Sequence, residues 1–345
     1  MMDKYVDLSS ELTEIFRMFF DDEPVSCRKI NTSRGEADFR ETVIVKAVSG
    51  GKYVIKLADN DFTFPERIKM WQKTAEEYRA LGYYCPRIHG DKSGGFPYVE
   101  YSGHKCAAFA EDHSVYPPLT DRDSDDGNNS SVYDRYRKDI WSMTARIAAK
   151  HLCYTEYPSA YCLFETFCPS DKVDEVLENA LEWKKYADGL PSEFSKQVER
   201  IWKLWTENRQ SLELVYNKLP VSVFQADLNS SNILTDENGS FAGISDFNLS
   251  GREVFLNYLM RENFGGFEHE IELIFDALKV SSEYYHFSDF EKDTALMLYR
   301  CLKPLWFCKL EQLKECGCDR EKVGAYLDKT EYYLTADIDF KAYMQ

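Results

Sequence analysis

The chain has 345 residues, more than one compact domain usually holds, so two lobes are expected. Apolar residues make up 44% and aromatics 15%, which supplies a substantial core and excludes general disorder. With 42 basic against 59 acidic residues the formal charge is -17, a surface that repels nucleic-acid phosphates and anionic membranes. Neither is an expected partner, although acidity of this kind also serves plain solubility.

The N-terminus, MMDKYVDLSSELTEIF, is acidic and amphipathic, unlike a signal peptide. No apolar stretch approaches membrane-spanning length. Ten cysteines are scattered along the chain, several inside apolar runs. The closest pair, Cys316 and Cys318, lacks the C-x-x-C spacing of a metal or redox site. Free thiols in a reducing cytoplasm are therefore expected.

In chain order, residues 9–20 read as a helix with Leu12, Ile15, Phe16 and Phe19 on one stripe. Thr42–Val48 and Lys52–Ala58 are β-branched runs joined by Ser49-Gly50-Gly51, a hairpin. Gly50-Gly51-Lys52 lacks the upstream glycine and the following Ser or Thr of a phosphate-binding P-loop, so it reads as the turn. A helix over 65–81 follows, opened by Pro65, with Ile68, Trp71, Ala75 and Tyr78 inward. Strands flank Ser102-Gly103, over Tyr98–Tyr101 and Lys105–Glu111. This order describes a small α+β lobe with an antiparallel sheet.

Residues 117–131 read as a polar, proline-led linker. Beyond it the pattern turns helical. One helix carries Tyr136, Ile140, Met143, Thr144 and Ile147. A second carries Val173, Val176, Ala180 and Trp183, with Ser170 as its expected N-cap. A long third, after Gly189 and Pro191, carries Phe194, Val198, Ile201, Trp205, Leu212 and Val215. Helices resume after residue 265.

One island of strand-like sequence interrupts this half: VSVFQADLNSSNILTDENGSFAGISDFNL, residues 221–249. Two apolar strands bracket a polar loop. A turn at Glu237-Asn238-Gly239 then leads to a third strand ending at Ser245-Asp246-Phe247-Asn248. Phosphoryl transfer needs such a set, because its transition state spreads negative charge over the moving group and metal ions must bridge the phosphates. Magnesium takes oxygen ligands, typically one or two carboxylates plus phosphates and water. The amide oxygen of Asn232 and the carboxylate of Asp246 can meet at one ion if the hairpin folds their strands together. Asp227, on the loop, can then accept the proton of an acceptor hydroxyl. The bland reading, a run of Asx turns, fits an isolated D-x-x-x-x-N better than it fits one followed by a hairpin and an Asp-Phe pair.

Upstream, Lys56 sits in the apolar strand Tyr53-Val54-Ile55-Lys56-Leu57, where a lysine can neutralise nucleotide phosphates. Its carboxylate partner is expected on the 65–81 helix. Glu76 flanks the apolar face there, while Glu66 and Glu77 project further out.

With Lys56 on a strand, a helix, and then Q-A-D-L-N-S-S-N and I-S-D-F-N, the chain resembles the aminoglycoside phosphotransferase and choline kinase-like family over about residues 25–260. The resemblance is specific around 221–249 and weaker in the first lobe. It implies a two-lobed protein-kinase-like fold of α+β class. Residues 1–112 would form the nucleotide-binding lobe, and 113–345 the helical lobe with catalytic loop and acceptor site. It further implies Asp227 as catalytic base, Asn232 and Asp246 as Mg2+ ligands, and Lys56 on the phosphates of ATP or GTP. The strand end at Ala110-Glu111-Asp112 would present backbone groups to the purine.

Two departures stand out. Gln225-Ala226 replaces the usual His-Gly before the catalytic aspartate. The nucleotide-covering loop, INTSRGEADFR at 30–40, has only Gly35, so Asn31, Thr32 and Ser33 are expected to bond phosphate instead. Family members phosphorylate hydroxyls of small molecules. Residues 251–300 carry ten carboxylates, among them Glu253, Glu262, Glu268, Glu270, Glu272 and Asp276, against five Lys or Arg. That suits an amine-bearing acceptor, or is simply a solvated face. Two other readings are a catalytically silent kinase-like module and a protein kinase. The second lacks its A-P-E segment, since Asn248 runs straight into Leu249-Ser250-Gly251-Arg252-Glu253.

Overall fold

The computed structural model describes residues 5–35, 37–119, 135–167, 173–264, 270–306 and 308–345. Most of the 117–131 linker, Ser170, Glu268 and the side chain of Glu270 lie outside the described residues. The chain divides into two compact units, one formed by 1–136 together with 227–251, the other by 137–226 together with 252–345.

In the first unit, strands β1 (Pro24–Asn31), β2 (Phe39–Ala47) and β3 (Lys52–Asp59) form an antiparallel meander. β6 (His104–Asp112) pairs with β3, and β4 (Ile88–His89) and β5 (Tyr98–Tyr101) pair with β6. Two of these, β1 and β4, have no counterpart in the sequence reading. The β2–β3 turn needs a left-handed residue, and Gly50 supplies it at φ 85°.

Alternation divides this sheet into two faces of different character. Val43, Val45, Ile55, Leu57, Cys106, Ala108 and Ala110 share a core with helix α1 (Ser10–Phe19), which inserts Leu12, Ile15, Phe16 and Phe19. Ser9 caps that helix by accepting from the Leu12 amide at 3.2 Å. The intervening residues point the other way. In the register Lys56 lies opposite Phe109, and Val54 opposite Glu111. Lys56, Phe109 and Glu111 are thereby delivered to one face.

Helix α2 (Pro65–Ala80) opens on a proline and buries Arg67, Ile68, Met70, Trp71, Thr74, Ala75 and Tyr78. The first unit is completed by the hairpin of β8 (Ile233–Thr235) and β9 (Phe241–Ile244), which turns through Gly239 at φ 76°. This hairpin docks on the chain just after α2: Tyr84 donates to Ala242 O at 2.9 Å and accepts from Ile244 N at 3.0 Å. A Cβ on Gly243 would stand 1.8 Å from the Tyr84 carbonyl oxygen, so only glycine permits the approach.

The second unit is mainly helical. Its helices span Arg137–Ala148, Glu175–Ala187, Ser195–Tyr216, Phe255–Glu262, Glu270–Ser281, Asp289–Leu302, Lys309–Glu315 and Arg320–Thr335. The second of these is capped by Asp174, which accepts from Leu177 N. Trp205 Nε1 donates to Cys301 O at 2.8 Å, tying the longest helix to Asp289–Leu302. Strand β7 (Val221–Phe224) pairs with β10 (Gly251–Val254). No described helix is long and apolar enough to cross a membrane.

Candidate active site

A cavity of about 250 Å3 in the first unit is lined by Lys56, Asp227, Asn232 and Asp246, with Arg34 and Phe109 among its other walls. Four residues singled out from separate stretches of sequence thus meet around one space. Each is placed by a different local device.

Lys56 comes from the middle of β3. Its Nζ stands 2.9 Å from Asp246 Oδ1 and 3.2 Å from Glu111 Oε2. Burial pushes the ammonium toward neutrality, but the two carboxylates outweigh it and raise its pKa, so Lys56 is charged. Burial holds Glu111 above the ordinary glutamate range, partly opposed by Lys56.

Glu76 does not meet Lys56. It is exposed on α2, and its ion-pair partner is Arg79 at 3.9 Å. The carboxylate next to Lys56 comes instead from the adjacent strand, because pairing of β3 with β6 puts Glu111 on the same face.

The strand end expected to face a purine is set by its pairing in the sheet. Ala110 is paired with Ile55 on one side and His89 on the other, and its side chain is in the α1 core. The Asp112 amide donates to Arg87 O at 3.0 Å, and its carboxylate meets His89 Nε2 at 2.7 Å. The Glu111 side chain is directed to Lys56.

Asp227 lies on the loop that precedes the hairpin. It accepts from Asn229 Nδ2 at 2.8 Å and from Asn232 Nδ2 at 3.3 Å. Desolvation raises its pKa above the ordinary 3.8, with Asp246 adding to the rise, while Asn229, Arg34 and Asn232 pull it down. A half-buried carboxylate with raised basicity, held by two amides, can receive a proton.

Asn232 is buried, and its Nδ2 also donates to the Asp227 carbonyl at 2.8 Å. That fixes the amide plane, and Oδ1, which accepts from Ser231 Oγ at 3.3 Å, has a second lone pair for a cation. Asn232 O accepts from Ser245 N at 2.9 Å, which brings the Asp246 end of β9 alongside. Asp246 itself is left-handed, at φ 58° and ψ 76°, a strained conformation for a residue other than glycine. One carboxylate and one amide oxygen on a shared cavity fit Mg2+, which keeps waters and takes phosphate oxygens for the rest. Among the described residues no group of three His, Cys, Asp or Glu side chains forms a closed metal cage.

In the 30–40 loop, Ser33 is occupied internally: its Oγ accepts from Arg40 N at 2.9 Å and donates to Arg40 O at 3.2 Å. Thr32, Arg34 and Arg40 reach the cavity instead. Arg40 is committed to Asp38 at 2.8 Å, whereas the charge of Arg34 acts on Asp227. The sequence reading missed Arg34 and the Glu111 side chain. Nothing local marks Arg34, but Glu111 was visible in the spacing Phe109-x-Glu111 once β6 is set antiparallel to β3.

Among the described residues, the carboxylates of 251–300 do not act as one wall. Glu253 is buried, accepting from Ser159 Oγ at 2.6 Å and Asn257 Nδ2 at 2.9 Å. Glu291 forms the capping box of Asp289–Leu302 with Ser288. Glu272 and Asp276 are exposed.

At the level of sequence no family model matches the chain, nor does any curated protein. Solved structures do match over nearly its whole length. The amicoumacin kinase hAmiN, in complex with AMP-PNP, Ca2+ and Ami, is 11% identical, covers 96% of each chain and superposes with a TM-score of 0.54. An aminoglycoside phosphotransferase from Alicyclobacillus acidocaldarius (12% identity, 96% and 98% coverage, TM-score 0.46) and a Plasmodium vivax ethanolamine kinase (15%, 92% and 84%, 0.41) are also similar. The chain thus shares a kinase-like fold with hAmiN, an antiparallel-sheet unit and a mainly helical one.

Proposed function

We propose that this protein is a small-molecule kinase that transfers the γ-phosphoryl group of a nucleoside triphosphate to a hydroxyl of a small acceptor. The observation that carries the reading is the convergence of Lys56, Asp227, Asn232 and Asp246 on one cavity. Asn232 and Asp246 would hold Mg2+, which supplies positive charge against the phosphates. Lys56, kept charged by Glu111 and Asp246, adds a fixed cation on the donor side. Asp227, with its raised pKa, orients the acceptor hydroxyl and takes its proton as the bond to phosphorus forms.

An amine-bearing acceptor, such as an aminoglycoside or amino alcohol, agrees with the charge of -17. Nucleotide consumption across amino alcohols, aminoglycosides and hydroxy amino acids, with ATP and GTP in parallel, tests the reading. An acceptor-dependent, Mg2+-dependent turnover is expected. Nucleotide binding without turnover on any acceptor, protein acceptors included, would favour a silent kinase-like module.

A further inference from the structure

Helix α2 carries one arginine on its buried face. Arg67 is 0% exposed, and its guanidinium lies against the Trp71 ring at 5.2 Å. A buried cation is tolerated only when its donors are used. Here its two terminal nitrogens meet main-chain carbonyls: Nη1 donates to Phe62 O at 2.8 Å, and Nη2 to Asn248 O at 3.2 Å and Ser250 O at 3.3 Å. Two of these belong to the short turn that follows Asp246.

That turn has a demanding start, since Asp246 is left-handed. Such a conformation persists only where neighbours over-determine it. Ser250 N closes the turn on Phe247 O at 3.0 Å, and the Phe247 ring meets Tyr78 of α2 at 5.7 Å. α2 therefore grips the segment twice, by a ring at Phe247 and by Arg67 Nη2 at the carbonyls of Asn248 and Ser250, while Nη1 anchors the same guanidinium on Phe62 O. A guanidinium is suited to this because its donors are fixed in one plane, whereas an ammonium is a point charge.

We propose that Arg67 is a positioning residue for the cation site. By clamping the carbonyls of Asn248 and Ser250 to α2, it holds Asp246 in the conformation that turns its carboxylate toward the cavity. Glu76 makes no link to Lys56, and Arg67 ties this helix to the turn after Asp246. The inference rests on the kinase reading above.

The test compares full-length wild type with Arg67→Lys, Arg67→Met and a control on the same buried helix face, Ile68→Val. Binding of AMP-PNP is titrated against Mg2+, and without Mg2+, by calorimetry, with Tm measured alongside. Arg67→Lys should raise the half-saturating Mg2+ concentration about tenfold, the scale on which residues supporting metal ligands act. Metal-free nucleotide affinity should stay within about twofold, and Ile68→Val should move Tm without moving the Mg2+ requirement. Should both Arg67 variants fail to fold, Phe247→Leu loosens the same turn from its ring side and should raise the Mg2+ requirement in the same direction. If the folded variants lose Tm but keep the wild-type Mg2+ requirement, Arg67 is a core staple and the inference falls alone. If wild type itself shows no Mg2+-dependent nucleotide binding, the kinase reading falls and takes the inference with it.

Discussion

The two faces of the β1–β6 sheet are built from the same strands and do different work. On one, Val43, Val45, Ile55, Leu57 and Ala108 meet α1 in an apolar core. On the other, one residue along, stand Lys56, Phe109 and Glu111. The period of two keeps core residues and cavity-facing residues apart on adjacent positions, so a substitution at residue 55 and one at residue 56 should have different consequences.

The sharpest way to break this contrast is on the cavity side. Asp227→Ala should lower turnover by about 10²–10⁴-fold, the range of a general base, while AMP-PNP affinity stays near wild type. Turnover close to wild type would remove Asp227 from the mechanism. On the α1 side, Ile55→Ala should destabilise the fold by about 2–5 kcal/mol, with unchanged KM per folded molecule, read from denaturant unfolding and initial rates. A change in nucleotide KM without loss of stability would show that the faces are not separate.

Asp246→Asn should weaken Mg2+-dependent nucleotide binding about tenfold or more, equivalent to upward of about 1.4 kcal/mol. Unchanged metal dependence would reduce Asp246 to a turn residue. The smallest effect concerns pH. Asp227 must be ionised to accept a proton, so activity should fall as pH drops through its raised pKa, above the usual aspartate range. Asn229→Ala deletes a hydrogen bond that favours the ionised form, so the acid limb of the rate profile should move further up. A limb that stays put or moves down would mean Asn229 does not tune the base.

Much of this was legible because it is local. The α1 stripe, the Gly50 turn, the α2 face and the Asp-x-x-x-x-Asn loop are each written within a few residues. Lys56 was legible as a charge in an apolar strand. What escaped depended on register and long-range pairing. Glu76 sat at a plausible angle on its helix, but the position next to Lys56 went to Glu111, which becomes its neighbour only through the β3–β6 ladder. Arg67 was not singled out at all, because its carbonyl partners at 248 and 250 lie far along the chain. The spread of the 251–300 carboxylates had the same cause: Glu253 and Glu291 are held by partners that charge counting does not reveal.

The hairpin that carries Asn232 and Asp246 belongs to the same compact unit as the sheet, yet residues 137–226 intervene. On the ribosome this imposes an order of events. Lys56 and Glu111 emerge early, but the nascent chain waits several seconds, at about 5–20 residues per second, before Asp227 and the strand that docks on Tyr84 are made. Until then the sheet presents a lysine and a glutamate without the residues that complete the cavity. The cavity is therefore completed only at the moment Gly243 lets the hairpin close onto a surface made long before.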